Sequence, residues 1–329
     1  LAGLRTILAR GRFDVVIAMS PPLTLGLPAW VAARVRRIPF VFNVQDVFPD
    51  VAVEVGALSS ERAIAVFSAL ERHVYRTSDA VTVLSEDLRQ NLVEKIRARP
   101  GRGGSTDKIR VIPNFVDTDR IGVQDRHNSY RDDYELGDRT VVMYAGNVGF
   151  SQSLDLVVGA ARACPDVTFV INGDGAARAD LESAAADVGT LRFAGYQPVE
   201  RLGEVLATGD VHVVPLRRGL GDVSVPSKSY SSLAAGRPVI ASIDADTEIP
   251  RLLAASGAGV SVDPDELAPF VAAIRARVDD PERASELGAA GRSWVVAEAS
   301  PAAVGAAYDT LVRHVAGSAD RPPLDASRR

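Results

Sequence analysis

The chain has 329 residues, 47% hydrophobic and 24% charged, with a formal net charge of −5 and one cysteine. That length exceeds the ~100–200 residues of a usual single domain and supplies core for two, which excludes a disordered or fibrous chain. A lone Cys164 excludes an intrachain disulfide framework, and no apolar run approaches the ~20 residues of a membrane span.

Charge is unevenly divided. Residues 1–122 carry 17 Lys and Arg against 13 Asp and Glu, whereas residues 123–329 carry 20 against 29, so the halves are +4 and −9. A mildly basic first half suits a membrane surface or an anionic acceptor, with Trp30 beside Arg34, Arg36 and Arg37 as the local candidate; the other reading is a solvated helix end. No nucleic acid is expected as a partner. The opening Leu1-Ala2-Gly3-Leu4 has neither an initiator Met nor a charged-then-apolar leader, so a chain truncated at the front and a cytoplasmic location are expected.

Short apolar runs then alternate with longer helical patterns, the mark of parallel sheets covered by helices. Leu4–Arg10 reads as a helix leading into the first strand. The first series of strands is Val15–Ala18, Phe40–Val44, Ala80–Leu84 and Arg110–Ile112, with helices over Leu23–Val35, Ser60–Tyr75 and Glu86–Ile96 and a flexible loop at Arg99–Thr106. Asp117–Arg139 is rich in charge and poor in apolar residues, and the interdomain hinge is placed there, over 123–139. The second series is Val141–Ala145, Val167–Ile171, Leu191–Ala194, Val211–Val214, Val239–Ser242 and Gly259–Val262, enough for a complete doubly wound sheet. Helices over Asp265–Val278, Glu282–Val296 and Ala302–Val315 follow, then a polar tail expected to be disordered over 317–329. The expected domains are therefore 1–122, incomplete at its front, and 140–316.

Ligands of open parallel sheets bind beyond the carboxyl ends of the strands, which directs attention to the loops after each run. Gly146-Asn147-Val148-Gly149 brings backbone amides near a ligand before a helix starting near Ser151. Asn172-Gly173-Asp174-Gly175 is a sharp turn that holds a ribose or base, or is simply a turn. Tyr196 either borders a base or packs on the rim. The stretch Pro215–Ser242 reads as a strand end, a basic glycine loop with Arg217 and Arg218, a helix opening near Pro226 with Ser227 and Lys228 in its first turn, a left-handed cap at Gly236, and another strand. Four unsatisfied amides and the positive end of the helix dipole, joined by these cations, build an anion site.

The runs VPSKSYSSLAAGRPVIAS, NGDG, YAGNVGFSQSLD, SDAVTVLSEDLRQNL and IRVIPNFVD resemble retaining glycosyltransferases of family 4, over nearly the whole chain. The PSK before LAAGRPV and Asp46-Val47-Phe48-Pro49-Asp50 are similar to bacterial enzymes of capsule, O-antigen and colanic-acid type polysaccharide synthesis. The resemblance implies a GT-B fold, two Rossmann-like domains facing across a cleft, with a nucleoside-diphosphate sugar donor on the second, a lipid-linked or saccharide acceptor on the first, and no metal or other cofactor. It gives Lys228 the donor diphosphate, aided by Arg217 or Arg218; Gly146 and Gly149 the phosphates and sugar; Gly173–Gly175 and Tyr196 the nucleoside; and Asp222 the sugar hydroxyls. Asp46 is the candidate base or acceptor-positioning group, or else a helix-capping carboxylate.

Several positions depart from the pattern. The acidic pair that many members carry eight residues apart falls on Val223 and Ser231 here, and the usual Arg and Lys after the first strand of the second domain fall on Asn147 and Gln152. These changes and the front truncation motivate a second reading, a non-catalytic nucleotide-sugar-binding or scaffold protein, and an expectation of poor transfer by this chain. His73, His127, His212 and His314 lack ligand spacing, and Asp244-Ala245-Asp246 is taken as a coincidental likeness to a metal-binding DxD.

Overall fold

The structure, a computed structural model, describes residues 11–98 and 105–317. The helix expected at Leu4–Arg10, most of the loop at Arg99–Thr106 and nearly all of the tail lie outside the described residues.

Two compact units are formed, one from residues up to Pro113 together with those from Val304 on, the other from Asn114–Ala303. The first holds a four-stranded parallel sheet in the order β1-β2-β3-β4, with β1 Val16–Ser20, β2 Phe40–Val44, β3 Ala80–Val83 and β4 Ile109–Val111. The second holds six parallel strands in the order β10-β9-β8-β5-β6-β7, with β5 Val141–Ala145, β6 Thr168–Asn172, β7 Leu191–Ala194, β8 Val211–Pro215, β9 Val239–Ser242 and β10 Gly259–Val262. All ten expected strands are present within a residue or two of their expected ends. Their apolar runs have no polar alternation because helices cover both faces: every residue of β2, β6, β8 and β9 is buried. β1 is an edge strand and exposes Ile17 (49%) and Met19 (53%).

The division of the chain differs from expectation at two places. Residues 123–139 belong to the second unit, where Asn128 caps a short helix, Ser129–Asp133, by accepting from the Tyr130 and Arg131 amides. The charges that suggested a hinge are consumed locally. Arg131 is buried, donates to the carbonyls of Gly137, Arg139 and Thr208, and pairs with Asp210, which also meets Arg126 at 3.2 Å. The last helix, Pro301–Gly317, returns to the first unit instead of ending the second. Its Val304, Leu311 and Val315 pack on Val41, Ala80 and Ile112, and the hydroxyl of Tyr308 accepts from Asn43 Nδ2 at 2.5 Å.

Burial also explains half of the DVFPD run. Lys95 Nζ lies 2.7 Å from both Asp50 and Glu71, and Tyr75 donates to Glu71 at 3.0 Å. Glu71 is only 1% exposed, and desolvation raises its pKa despite the lysine. Lys95 thus ties the helix Glu86–Arg97 both to Glu71 on the helix Glu61–Thr77 and to Asp50. Lys95→Met strands a buried carboxylate and is expected to lower stability by ~3 kcal/mol at pH 8. Because a raised carboxyl pKa removes its penalty as pH falls and the group protonates, the loss should be smaller at pH 5 in chemical denaturation.

A cavity of about 780 Å³ in the first unit lies at the starts of β2, β3 and β4, the edge opposite Asp46, and its lining includes Trp30, Arg34, Arg37, Lys108 and His314. Helix C-termini converge there, and Lys108 Nζ donates to the carbonyls of Arg76 and Ser78 at 2.9 and 2.7 Å. Lys108 therefore serves to neutralise the carbonyl end of the helix Glu61–Thr77.

Candidate nucleotide-sugar site

The second sheet reverses its direction of growth between β5 and β8, and the crevice at such a switch point is where open parallel sheets take ligands. Hydrogen bonds tie the loops there together. Gly146 N donates to Asn172 O at 2.9 Å, Val148 N to Asp174 O at 2.9 Å, and Gly173 N to Ala194 O at 2.8 Å. The Tyr196 hydroxyl donates to Asp174 O at 3.2 Å, although its residue is 61% exposed. The glycines permit this closeness. Gly173 has φ +154°, and a Cβ there would lie 1.8 Å from Gly146 O; at Gly175, φ +158°, it would lie 2.3 Å from Val148 O. NGDG is therefore more than a turn, since it supports the GNVG loop from beneath.

Lys228 reaches the same loop from the far side of the switch point. It opens the helix Lys228–Ala234, and its Cε fills the space beside Gly146, 2.9 Å from where a Cβ would stand. Its ammonium lies 4.9 Å from the ring centroid of Tyr144, and among the described residues no carboxylate pairs with it. Shelter from water pushes its pKa down to about 8. The helix gives less than expected: it has seven residues, Ser227 makes no side-chain cap, and the Ser229 and Tyr230 amides turn back to the carbonyls of Pro226 and Ser227. The full charge of Lys228 thus carries more of this site than the helix dipole does. Gly236 does take the left-handed cap, with φ +71°.

The other cations are partly committed. Arg217 donates through Nε to Phe150 O at 2.7 Å and lies 3.5 Å from Asp155, linking the loops after β8 and β5. Arg218 turns toward the loop after β10, where its side chain donates to Pro264 O at 2.8 Å and its amide to Asp265 at 3.1 Å. Asp244, set aside as coincidence, fixes the basic loop, because one of its carboxylate oxygens accepts from the Gly219 and Gly221 amides at 2.8 and 3.2 Å. Asp222 is exposed in that loop, and Ser231 sits one helical turn after Lys228, half-buried. Asn147 is exposed, while Gln152 accepts from the Gly149 amide at 3.0 Å; the helix beyond starts at Leu154, not near Ser151. Thus Gly146, Asn147, Gly149, Gly173, Asp174, Gly175, Tyr196, Lys228 and Arg217 come together at the ends of β5, β6, β7 and β8. Asp46 lies in the first unit, half-buried two residues beyond β2.

Two of the four histidines are packed: His73 meets Trp30 edge to face at 4.9 Å, and His212 is buried with Nε2 2.9 Å from Leu206 O and its pKa pushed down to about 4, while His127 and His314 are exposed. Among the described residues no group of three His, Cys, Asp or Glu side chains could hold a metal ion, and no helix is long and apolar enough to cross a membrane.

Two parallel α/β units, the second with its strand order reversing at a glycine-lined crevice, define the GT-B fold. Residues 1–114 match the family described as glycosyl transferase 4-like domain, and residues 139–280 match glycosyl transferases group 1. The chain belongs to the family 4 glycosyltransferases. It is 28% identical over 277 residues to the Escherichia coli (strain K12) protein WcaI, named as a colanic acid biosynthesis glycosyl transferase, covering 81% of this chain and 66% of WcaI. The chain thus spans just under two thirds of that relative's length. It is 27% identical to a GDP-mannose-dependent alpha-(1-6)-phosphatidylinositol monomannoside mannosyltransferase of Mycolicibacterium smegmatis, covering 84% of this chain and 78% of that one. Anabaena HepE in complex with UDP-glucose shares the fold with a TM-score of 0.74 at 13% identity, covering 96% of this chain and 82% of HepE.

Proposed function

We propose that the protein is a retaining glycosyltransferase that moves a sugar from a UDP- or GDP-linked donor to a lipid-linked or saccharide acceptor in cell-surface polysaccharide synthesis. The observation that carries this reading is Lys228, an ammonium without a carboxylate partner among the described residues, set against the GNVG loop at the switch point. As the glycosidic bond breaks, negative charge grows on the leaving diphosphate, and a cation already in place lowers the barrier without reorganising. At neutral pH Lys228 carries that charge, because its pKa of about 8 lies above it. The reading uses no metal.

The relatives supply the ligand classes: HepE is solved with UDP-glucose, and the mycobacterial protein is named for GDP-mannose and a phosphatidylinositol glycolipid. Asp46 in the first unit is the acceptor-side candidate, as base or as positioning group. A cytoplasmic enzyme peripheral to the membrane fits a lipid-linked acceptor. Calorimetric titration with UDP and GDP tests the donor side. Micromolar-range binding of one of them, competed by its hexose conjugate, is expected, and absence of binding by both would overturn the reading. Binding without any glycoside product, given sugar donors and lipid acceptor extracts, would favour a binding protein instead.

A further inference from the structure

We infer that Tyr144 is a positioning residue for the donor site: its ring holds the Lys228 ammonium in place without neutralising it, and its hydroxyl fixes the loop on which the diphosphate lies. This deepens the reading of Lys228 as the diphosphate ligand and rests on it.

Three observations converge. Tyr144, the fourth residue of β5, is fully buried, an expensive place for a phenol unless its hydroxyl is bonded. That hydroxyl donates to Asn147 O at 2.5 Å and so closes the turn between Gly146 and Gly149. The ring lies 4.9 Å from Lys228 Nζ, while the lysine stem crosses over Gly146, where any side chain would displace it. The phenol and the lysine are thus packed on the same glycine, the phenol from β5 and the lysine from the helix that follows β8, strands that are neighbours at the switch point.

The choice of partner has a chemical consequence. A carboxylate in the same place would pin Lys228 by pairing with it, and a diphosphate would then have to break that pair before binding. An aromatic face attracts the cation more weakly and leaves its N–H donors aimed outward. Burial raises the Tyr144 pKa, so the phenol stays neutral across the physiological range and never becomes a competing anion. The ring holds the ammonium, and the ligand finds it still charged.

Two variants separate the ring's effect from the hydroxyl's. Tyr144→Phe keeps the ring and loses the loop bond; Tyr144→Leu loses both. In the full chain, whichever of UDP and GDP binds the wild type more tightly should bind Tyr144→Leu about tenfold more weakly, the scale of a desolvated cation–π contact, with Tyr144→Phe recovering most of that loss. In a Lys228→Ala background the Leu substitution should cost little more. Additive losses, with Leu weakening binding equally whether or not Lys228 is present, would overturn the assignment. If Lys228→Ala itself changes nothing, the diphosphate reading has failed, and Tyr144 is then tested without ligand. The Lys228 ε-methylene protons of the wild type should be shifted upfield by the ring in NMR spectra and return to ordinary lysine values in Tyr144→Leu. Ordinary values in the wild type would overturn the inference outright.

Discussion

Lys228→Met is expected to bind UDP or GDP about 10- to 150-fold more weakly than the wild type, the ~1.5–3 kcal/mol of a hydrogen bond to a charged group. Its ligand-free melting temperature should hold or rise. The two effects have one cause. Desolvation lowers the lysine pKa from its ordinary 10.5 to about 8, so the folded protein disfavours the charged form. That penalty is fully present below about pH 8 and disappears as pH climbs toward the unfolded value, and methionine removes it while keeping the stem over Gly146. Diphosphate binding restores what burial took away. Wild-type affinity should therefore fall as pH rises through about 8, and binding near pH 9 should take up a proton, visible as a dependence of calorimetric heat on buffer ionisation enthalpy. Lys228→Met should show neither the pH step nor the uptake. A step of equal size in the variant would place the titrating group elsewhere.

Gly173→Ala is expected to be the most damaging single methyl in the second unit. Backbone at φ +154° is strained for any L side chain, and the added Cβ would meet a carbonyl oxygen of the GNVG loop, not the end of a flexible side chain. Strain and overpacking together should cost ~3 kcal/mol or more, read as a lower denaturant midpoint, and the loop after β5 must be pushed away from β6 to make room. Diphosphate affinity should fall with it. Gly195→Ala is the control: a Cβ there meets nothing within 4 Å, and both stability and affinity should stay near wild type. Equal behaviour of the two variants would show that the loops after β5 and β6 are not held together as described.

The strands were legible because buried parallel strands are bare apolar runs, and runs such as Val141–Ala145 have no helical rival of the same length. The anchoring glycines were legible for a related reason, since Gly173 and Gly175 break the pattern at a strand end. Side-chain neutralisation was not. The run 117–139 reads as a solvated hinge until Arg131 and Arg126 are seen to share Asp210, a residue some eighty positions away. The last helix carries no mark of the unit it joins, because Val304, Leu311 and Val315 would suit either sheet. Tyr144 escaped notice for the opposite reason: inside an apolar strand a tyrosine reads as core, and only the position of Lys228 gives its ring a second use. Asp244, whose DxD likeness is set aside as coincidence in the sequence, gains a use only when the Gly219 and Gly221 amides are found on it.

A crystal structure of the chain with the nucleoside diphosphate it binds would show what Lys228 touches. The distal phosphate is expected within hydrogen-bond distance of Lys228 Nζ, about 3 Å, and against the amides of the Gly146–Gly149 loop. A nucleotide seated away from the ends of β5 and β8, with Lys228 still turned to Tyr144 and no phosphate beside it, would contradict the diphosphate reading of Lys228.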